Sequence, residues 1–359
     1  ETNLAGGSEI ECLKVYNTFT PPSGGTNERP YAPKPGELYY NYDFKTIEFF
    51  DGNGWRQVDN TTRSGKILFG PGNSGNNLTS IDTINAHTLG NATYFGEVTS
   101  GRATYGGGGG NHQRGLFTGG YLYSNVIDYV TIQSESNAID FGDLSKPAFG
   151  MANSSSSTRS ISWFGFTNTP TTAAIDNIEY VEIATLGNSL DFGDSGQDSW
   201  SANAGASPTR GIYCGRFGDE NFAANKQAKY ITISSKGDAI QFAELAGVHG
   251  QQSGKSNSIK MLIVEGSESV AVHISSLNIS SLGKPEDFGE ITIPRQGTSV
   301  SCTQTRGIIA GGNSGSTYYN VIEYVTMSSE GNGIDFGDLS TVKRNSATIS
   351  DSHGGLGGF

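Results

Sequence analysis

The sequence predicts an all-β fold: a six-bladed β-propeller over residues 65–359, preceded by a small N-terminal β-hairpin module over residues 1–64. Three observations predict it. A cassette beginning Arg306-Gly-Ile-Ile-Ala-Gly-Gly312, and running on through Asn320-Val-Ile-Glu-Tyr-Val-Thr326 and Gly333-Ile-Asp-Phe-Gly-Asp-Leu339, recurs almost unchanged at residues 114–120, 125–131 and 138–144. The basic residue that opens it falls at Lys66, Arg114, Arg159, Arg210, Lys260 and Arg306, with His353 in the equivalent place, in steps of 48, 45, 51, 50, 46 and 47 residues. Periods of about 40–50 residues holding several short strands are what propeller blades require. Within each period the apolar residues alternate as in strands, and helical spacing is absent.

Each period holds four β-like runs, termed a to d. Strand a is rich in Gly, Ala and Ser, as in Ala148–Asn153 and Gly106–Gly110, which suits the crowded inner edge around a channel. Strand b is the basic-led run, for example Arg159–Gly165. Strand c alternates, with Ile178, Tyr180 and Glu182 on one side and Glu179, Val181 and Ile183 on the other, as in a sheet held between two neighbours. Strand d is short, for example Ser189–Gly193. Six c strands are expected, near residues 81–87, 126–132, 178–183, 228–233, 270–275 and 321–327. Because the repeat starts at a b strand, the last a strand, near Asn345–Ser350, should join the first blade and close the ring. His353–Phe359 reads as a surplus seventh b strand that displaces the one at Lys66, pairs elsewhere, or marks a chain that once continued. A parallel solenoid fits less well, since its coils are shorter and its strands are alike.

Residues 1–64 differ in kind. Pro21, Pro22, Pro30, Pro33 and Pro35 lie among Gly, Ser and Asn, which favours extended, turn-rich chain. Strand-like runs follow at Gly36–Asn41, Thr46–Phe50 and Trp55–Val58, with a turn at Asp51-Gly-Asn-Gly54. So few strands are marginal alone in water, so the module is expected to pack on the propeller, on a partner or on copies of itself.

Apolar residues make up 35% of the 359, and the 51 glycines bring the share close to half, enough for a core. A net charge of -12 argues against a phosphate-backbone partner, so no nucleic acid is expected. Cys12, Cys214 and Cys302 are odd in number and far apart, which reads as buried free thiols and not as a disulfide framework or zinc site. No apolar run is long enough to span a bilayer, so no membrane insertion is expected. Residues 1–20 lack the pattern of a secretory signal, and Glu1 stands where an initiator Met would, so the chain reads as a processed or partial product.

The order of strands, the Gly-Gly after strand b, the Glu-Tyr or Asp-Tyr of strand c and the basic residue opening strand b resemble a degenerate Kelch repeat over residues 65–359. The chain departs from it where strand d carries Phe (Phe141, Phe192, Phe242, Phe288, Phe336) in place of Trp, and where the double glycine is lost at Gly165-Phe166 and Cys214-Gly215. With its Thr-Arg-Gly and Asp-Phe-Gly-Asp signatures, this variant resembles repeats of structural proteins of marine bacteriophages. Gly36–Val58 likewise resembles short β modules of phage tail fibres and other appendages, an arbitrary hairpin capped by Trp55 being the alternative.

The recurring Asp-Phe-Gly-Asp does not read as a kinase signature, which would occur once beside a nucleotide loop. Two acids per blade are also too few for Ca²⁺. The structural reading is that Phe packs between blades, Gly permits a bend, and acids such as Asp143, Asp194 and Asp338 accept hydrogen bonds or pair with Arg114, Arg159, Arg210 or Arg306. The five histidines lack metal-ligand spacing, and no nucleophile motif, phosphate loop or paired-acid break in the repeat stands out. No metal, cofactor or enzymatic activity is therefore expected.

The b–c and d–a connections of a meander open on one face. The variable b–c loops carry Tyr121, Tyr123, Phe217, Phe222, Tyr318 and Tyr319; these either contact sugar or protein or merely cap the blades. The resemblances imply a virion component, a tail fibre, appendage or decoration protein. Its residues 1–64 would meet other virion proteins or copies of the chain, and its propeller would touch neighbours or a host-surface glycan or protein. A lectin or glycan-active enzyme on a Kelch-like scaffold is the alternative.

Overall fold

A computed structural model of the chain describes residues 19–43, 46–52, 54–57, 64–105, 107–198, 203–214, 227–245, 253–265, 273–281 and 283–357. The chain divides into two compact units, Glu1–Thr62 and Arg63–Phe359. Cys12, Val58, Phe217 and Phe222 lie outside the described residues.

In the first unit a four-stranded sheet takes its strands in chain order: Ser23–Gly24, Leu38–Asn41, Thr46–Phe50 and Trp55–Gln57. The short first strand, which sequence patterning missed, runs parallel to the second; the other pairs are antiparallel. Trp55 packs 5.7 Å from Tyr39 and 5.6 Å from Phe50. On the same face, Arg29 grips buried Glu48 with two bonds of 2.9 and 2.7 Å, and Asn41 adds a third at 3.0 Å. Burial works against the Glu48 carboxylate, but these donors outweigh it and hold its pKa below the usual range.

Among the described residues the second unit holds six sheets, I to VI, that each contain an a-b-c-d meander, and a two-stranded hairpin of Asn313–Ser314 and Thr317–Tyr318. Sheet II runs from Gly108–Gly110 through Arg114–Thr118 and Ser124–Thr131 to Ile139–Phe149. Sheet III takes Ala152–Ser155, Arg159–Trp163, Asn177–Glu182 and Leu190–Asp194. Sheets IV, V and VI begin at Asn203–Ala206, Ser253–Ser256 and Ser299–Cys302. Sheet I is assembled from both ends of the unit: Thr348–Ser350 pairs antiparallel with Lys66–Phe69, which leads into Ser80–Asn85 and Thr93–Glu97. The a strands neighbour one another in the cyclic order II, III, IV, V, VI, I and back to II.

Strand c buries both faces, as its alternation requires. Ile178 and Tyr180 pack with Trp163, Phe192 and residues of sheet IV, while Val181 and Ile183 pack against Leu116, Ile127 and Phe141 of sheet II. Each of the six seams between successive sheets holds one such apolar cluster, and a strand-d phenylalanine sits in every one. The last seam joins Ile308, Ile322 and Phe336 of sheet VI to Ile67, Phe69 and Ile84 of sheet I.

The Asp-Phe-Gly-Asp motif serves these seams through its backbone. The amide of Asp143 donates to Asn188 Oδ1 at 3.0 Å, and Asp143 O accepts from Ser189 N at 2.9 Å, both in the c–d turn of the next sheet. Asp194 N with Asp238, Glu290 N with Asn332 and Asp338 N with Asn91 repeat the bond at later seams. Gly337 allows this approach: at φ 150 it faces the Gly90 carbonyl, where a Cβ would stand 2.5 Å from the oxygen.

The expected Arg–Asp pairing does not form among the described residues. Register places Arg114 opposite Thr131 and Asp143 opposite Val126, at opposite ends of strand c. Instead each arginine lies over the tyrosine of its own strand c and donates to carbonyls ending strand c of the next sheet. Arg114 stacks 5.1 Å from Tyr129 and reaches Ile183 O and Ala184 O. Arg159, Arg210 and Arg306 repeat this on Tyr180, Tyr230 and Tyr324, reaching Ile233, Ile279 and Ala86. Arg159 also pairs with Glu182 at 2.8 Å.

Three boundaries differ from the sequence reading. The run Ala148–Asn153 is split at Gly150, φ 69, so that Ala148–Phe149 ends strand d of sheet II and strand a of sheet III begins at Ala152. The fifth c strand is His273–Asn278, not 270–275, since Ser276-Leu277-Asn278 stands where sheets II and VI carry the recognisable Tyr-Val-Thr. His353 does not open a seventh b strand: Gly354–Leu356 is a 3₁₀ turn.

Candidate functional site

The a strands surround a central cavity, and the two ends of the ring differ. At the a–b turn end, residues 351–357 fold inward. His353 Nε2 bonds Gly110 O at 2.8 Å, its Nδ1 accepts from Gly355 N, and Gln304 donates to the carbonyls of Ser352 and His353. Gly354 lies against the Ala206 and Asn257 carbonyls and Gly355 against that of Ser155, with no room for a Cβ on either. Sheets II to VI thus all touch this segment, which stoppers that end.

The opposite end, formed by b–c and d–a connections, carries an aromatic group. Phe149 lies 5.9 Å from Tyr121, 5.1 Å from Tyr123, 6.0 Å from Tyr105 and 5.7 Å from Phe166. Tyr105, Leu122 and Tyr123 hold left-handed φ angles of 49°, 73° and 58°, conformations costly for side chains this large and concentrated at functional sites. Tyr121 and Leu122 stay exposed. Sheet II supports them: its strand d extends to Phe149 and pairs with Phe166–Thr167, from the b–c connection of sheet III.

Tyr105 connects this group to a second one. Its ring lies 6.4 Å from Tyr121 and its amide donates to Asn345 O at 3.0 Å; burial raises its phenol pKa, which Arg344 opposes. Arg344 stacks 5.6 Å from Tyr318 and donates to Asn313 Oδ1 at 3.2 Å. Of the sequence-predicted residues, Tyr121 and Tyr123 therefore meet in one cluster and Tyr318 borders it. Tyr319 is half-buried beside Tyr318, its backbone tied to Gly312 and Lys343. Sequence reasoning missed Tyr105, Phe149, Phe166 and Arg344. The signal was there, since Tyr105 lies in a d–a connection and Phe149 ends a strand d, at the end where the b–c loops also open.

Beneath Tyr105 the cavity is lined by Asn203, Ser253, Lys255, Thr298 and Asn345. A second region that shares Lys255 is lined by Cys302, Ser350 and His353. Lys255 borders both, its Nζ donating to Gly108 O at 2.7 Å and Asn153 O at 2.9 Å across the cavity. Burial pulls its pKa down to about 8. Cys214 and Cys302 are buried free thiols; burial alone pushes Cys214 up to about 12 and chiefly raises Cys302.

Among the described residues no cluster of three or more His, Cys, Asp or Glu is placed to hold a metal ion, and no helix is long and apolar enough to cross a membrane.

What these features define is an all-β repeat protein with a lined central cavity, closed at one end and rimmed by aromatics at the other. No protein-family model and no curated protein matches the chain. Among solved structures, that of YjhT is similar at 9% identity with a TM-score of 0.57, over 68% of this chain and 86% of that one. At that identity the likeness bears on the fold alone.

Proposed function

We propose that the chain is a non-enzymatic structural protein of a bacteriophage virion, part of a tail fibre, other appendage or decoration. Residues 63–359 would form a six-bladed Kelch-like β-propeller displayed for contact with a host surface or a neighbouring virion protein. The cyclic order of six meanders, one apolar cluster per seam and the closing strand Thr348–Ser350 support the propeller. The observation that carries the functional part is the asymmetry of the two ends: one is filled by the chain's own residues, the other presents Tyr105, Tyr121, Tyr123 and Phe149 on strained loops over a rigid scaffold. The phage assignment rests on the resemblance of Gly36–Val58 and of the repeat to phage proteins, with the first unit as the attachment module. Mass spectrometry and labelled imaging of purified particles test it; particles complete without the chain would sink it.

The alternative is a glycan-binding lectin or glycan-active enzyme on the same scaffold. The hydroxyl and amide groups below Tyr105 favour it, since polar groups converging beneath an aromatic wall suit a small polar ligand. A glycan array with a hydrolase screen separates the readings: a purely structural role gives no signal in either.

A further inference from the structure

The repeat is broken at one place inside the cavity. Pairing with strand b sets Lys255 opposite Leu262, and the same register position in the other sheets holds Gly109, Ser154, Gly205, Ser301 and Ile349. Small or apolar residues suit the crowded inner edge; a lysine there directs an ammonium into the centre of the ring.

That ammonium lacks the carboxylate that three fully buried cations have, and like Lys229, whose Nζ donates to Ser195 O, it donates to carbonyls. Arg102, Arg295 and Lys343 each sit on a carboxylate, at 2.8 Å from Asp128, 2.7 Å from Glu323 and 3.0 Å from Asp82. Lys255 has carbonyls only, and among the described residues none lining either region of the cavity is Asp or Glu. This holds in a chain with 35 acidic residues and a net charge of -12. The neighbouring Cys302 thiol is held neutral and supplies no counter-charge. Lys255 is half-buried; a cation partly withdrawn from water without a counter-ion is costly, and an anion that enters to pair with it recovers that cost. An ammonium has three N–H donors, two of which point at Gly108 O and Asn153 O. Ser253, Thr298 and Asn203 line the approach from the aromatic end, and residues 351–357 stopper the other.

We propose that the central cavity is a binding site for a small anionic group of phosphate or carboxylate type, held by Lys255 Nζ and admitted past Tyr105. The site stands whether or not the protein belongs to a virion.

Isothermal titration calorimetry at pH 7 in an amine buffer tests it, using inorganic phosphate, acetate, glucuronate and uncharged glucose. At least one anion should bind the wild-type chain while glucose does not, and Lys255→Met should weaken that binding at least tenfold, with circular dichroism confirming its fold. Lys255→Gln, near in length and uncharged, is the second variant should the first not fold. Glucuronate binding more tightly than acetate and phosphate would indicate a charged group carried on a sugar; equal or weaker binding would indicate a free ion. Absence of heat with every anion, or unchanged affinity in a folded Lys255 variant, would overturn the proposal.

Discussion

Arg295 Nη2 stands 2.7 Å from Glu323 Oε2 with neither side chain reaching solvent. The arginine belongs to the connection leaving strand d of sheet V and the glutamate to strand c of sheet VI, so one ion pair pins a loop to the next sheet. Arg102–Asp128 and Lys343–Asp82 repeat the device. At the sheet III position, Glu179 instead takes the hydroxyls of Ser145 and Ser189. Removing one partner of such a pair strands a buried charge. Arg295→Met should cost about 3–5 kcal/mol in urea unfolding, whereas Arg295→Met with Glu323→Leu should recover most of the loss. Equal costs for the single and double variants would show that the charges do not act as a pair.

The closing seam makes a second demand. Gly337→Ala places a methyl group against the Gly90 carbonyl on a backbone at φ 150, whereas Gly283 has nothing within 4 Å of its added Cβ. Gly337→Ala should lower stability by about 2–3 kcal/mol, and Gly283→Ala by less than about 0.5 kcal/mol. Thermal unfolding of the two variants side by side checks the contrast.

Lys255 gives the stability curve a definite slope at alkaline pH. Its pKa falls from 10.5 to about 8 on folding, so the native chain holds this proton less tightly than the unfolded one. The resulting penalty is full below pH 8 and fades as pH rises from about 8 to 10.5. The shift corresponds to about 3 kcal/mol at about 1.4 kcal/mol per unit, part of which the two carbonyl bonds offset. In buffer free of small anions, Lys255→Met should therefore be more stable than wild type by about 1–2 kcal/mol at pH 7, the gap closing by pH 10.5. Tyr105 and Cys302 also line the cavity, both raised by burial, and the Cys302 thiol interacts with Lys255, so the difference reads Lys255 together with that interaction.

At the stoppered end, Gly355→Ala should drive residues 353–357 out of place, because the new methyl collides with the Ser155 carbonyl. Hydrogen exchange at the amides of the 3₁₀ turn, including Leu356 and Gly357, should then rise at least tenfold while the strand-c amides Ile178 and Val181 stay protected. Unchanged exchange would mean the turn does not need that close contact.

Much of the ring was legible because its cassette is nearly verbatim. The alternation Ile178-Glu-Tyr-Val-Glu-Ile183 announced burial on both faces, and Phe141, Phe192 and Phe336 announced the seams. The partners of the arginines were not legible. Carbonyls of the next sheet leave no signature in residue identity, and the visible acids of Asp-Phe-Gly-Asp drew attention to the wrong end of strand c. The site was half legible: Tyr121 and Tyr123 declared themselves as loop aromatics, while Phe149 was hidden in what read as a small-residue strand. Lys255 carries no signal of its own, because one basic residue among glycines and serines reads as an ordinary solvated strand position.

The antiparallel pairing of Thr348–Ser350 with Lys66–Phe69 also sets a timetable. On the ribosome, sheet I lacks its innermost strand until residue 350 has left the exit tunnel, so Ile67 and Phe69 must wait through the synthesis of some 280 intervening residues. Nearly the whole unit is thus made before its first sheet can be completed, and a nascent chain stalled short of that point carries an unpaired edge open to its neighbours.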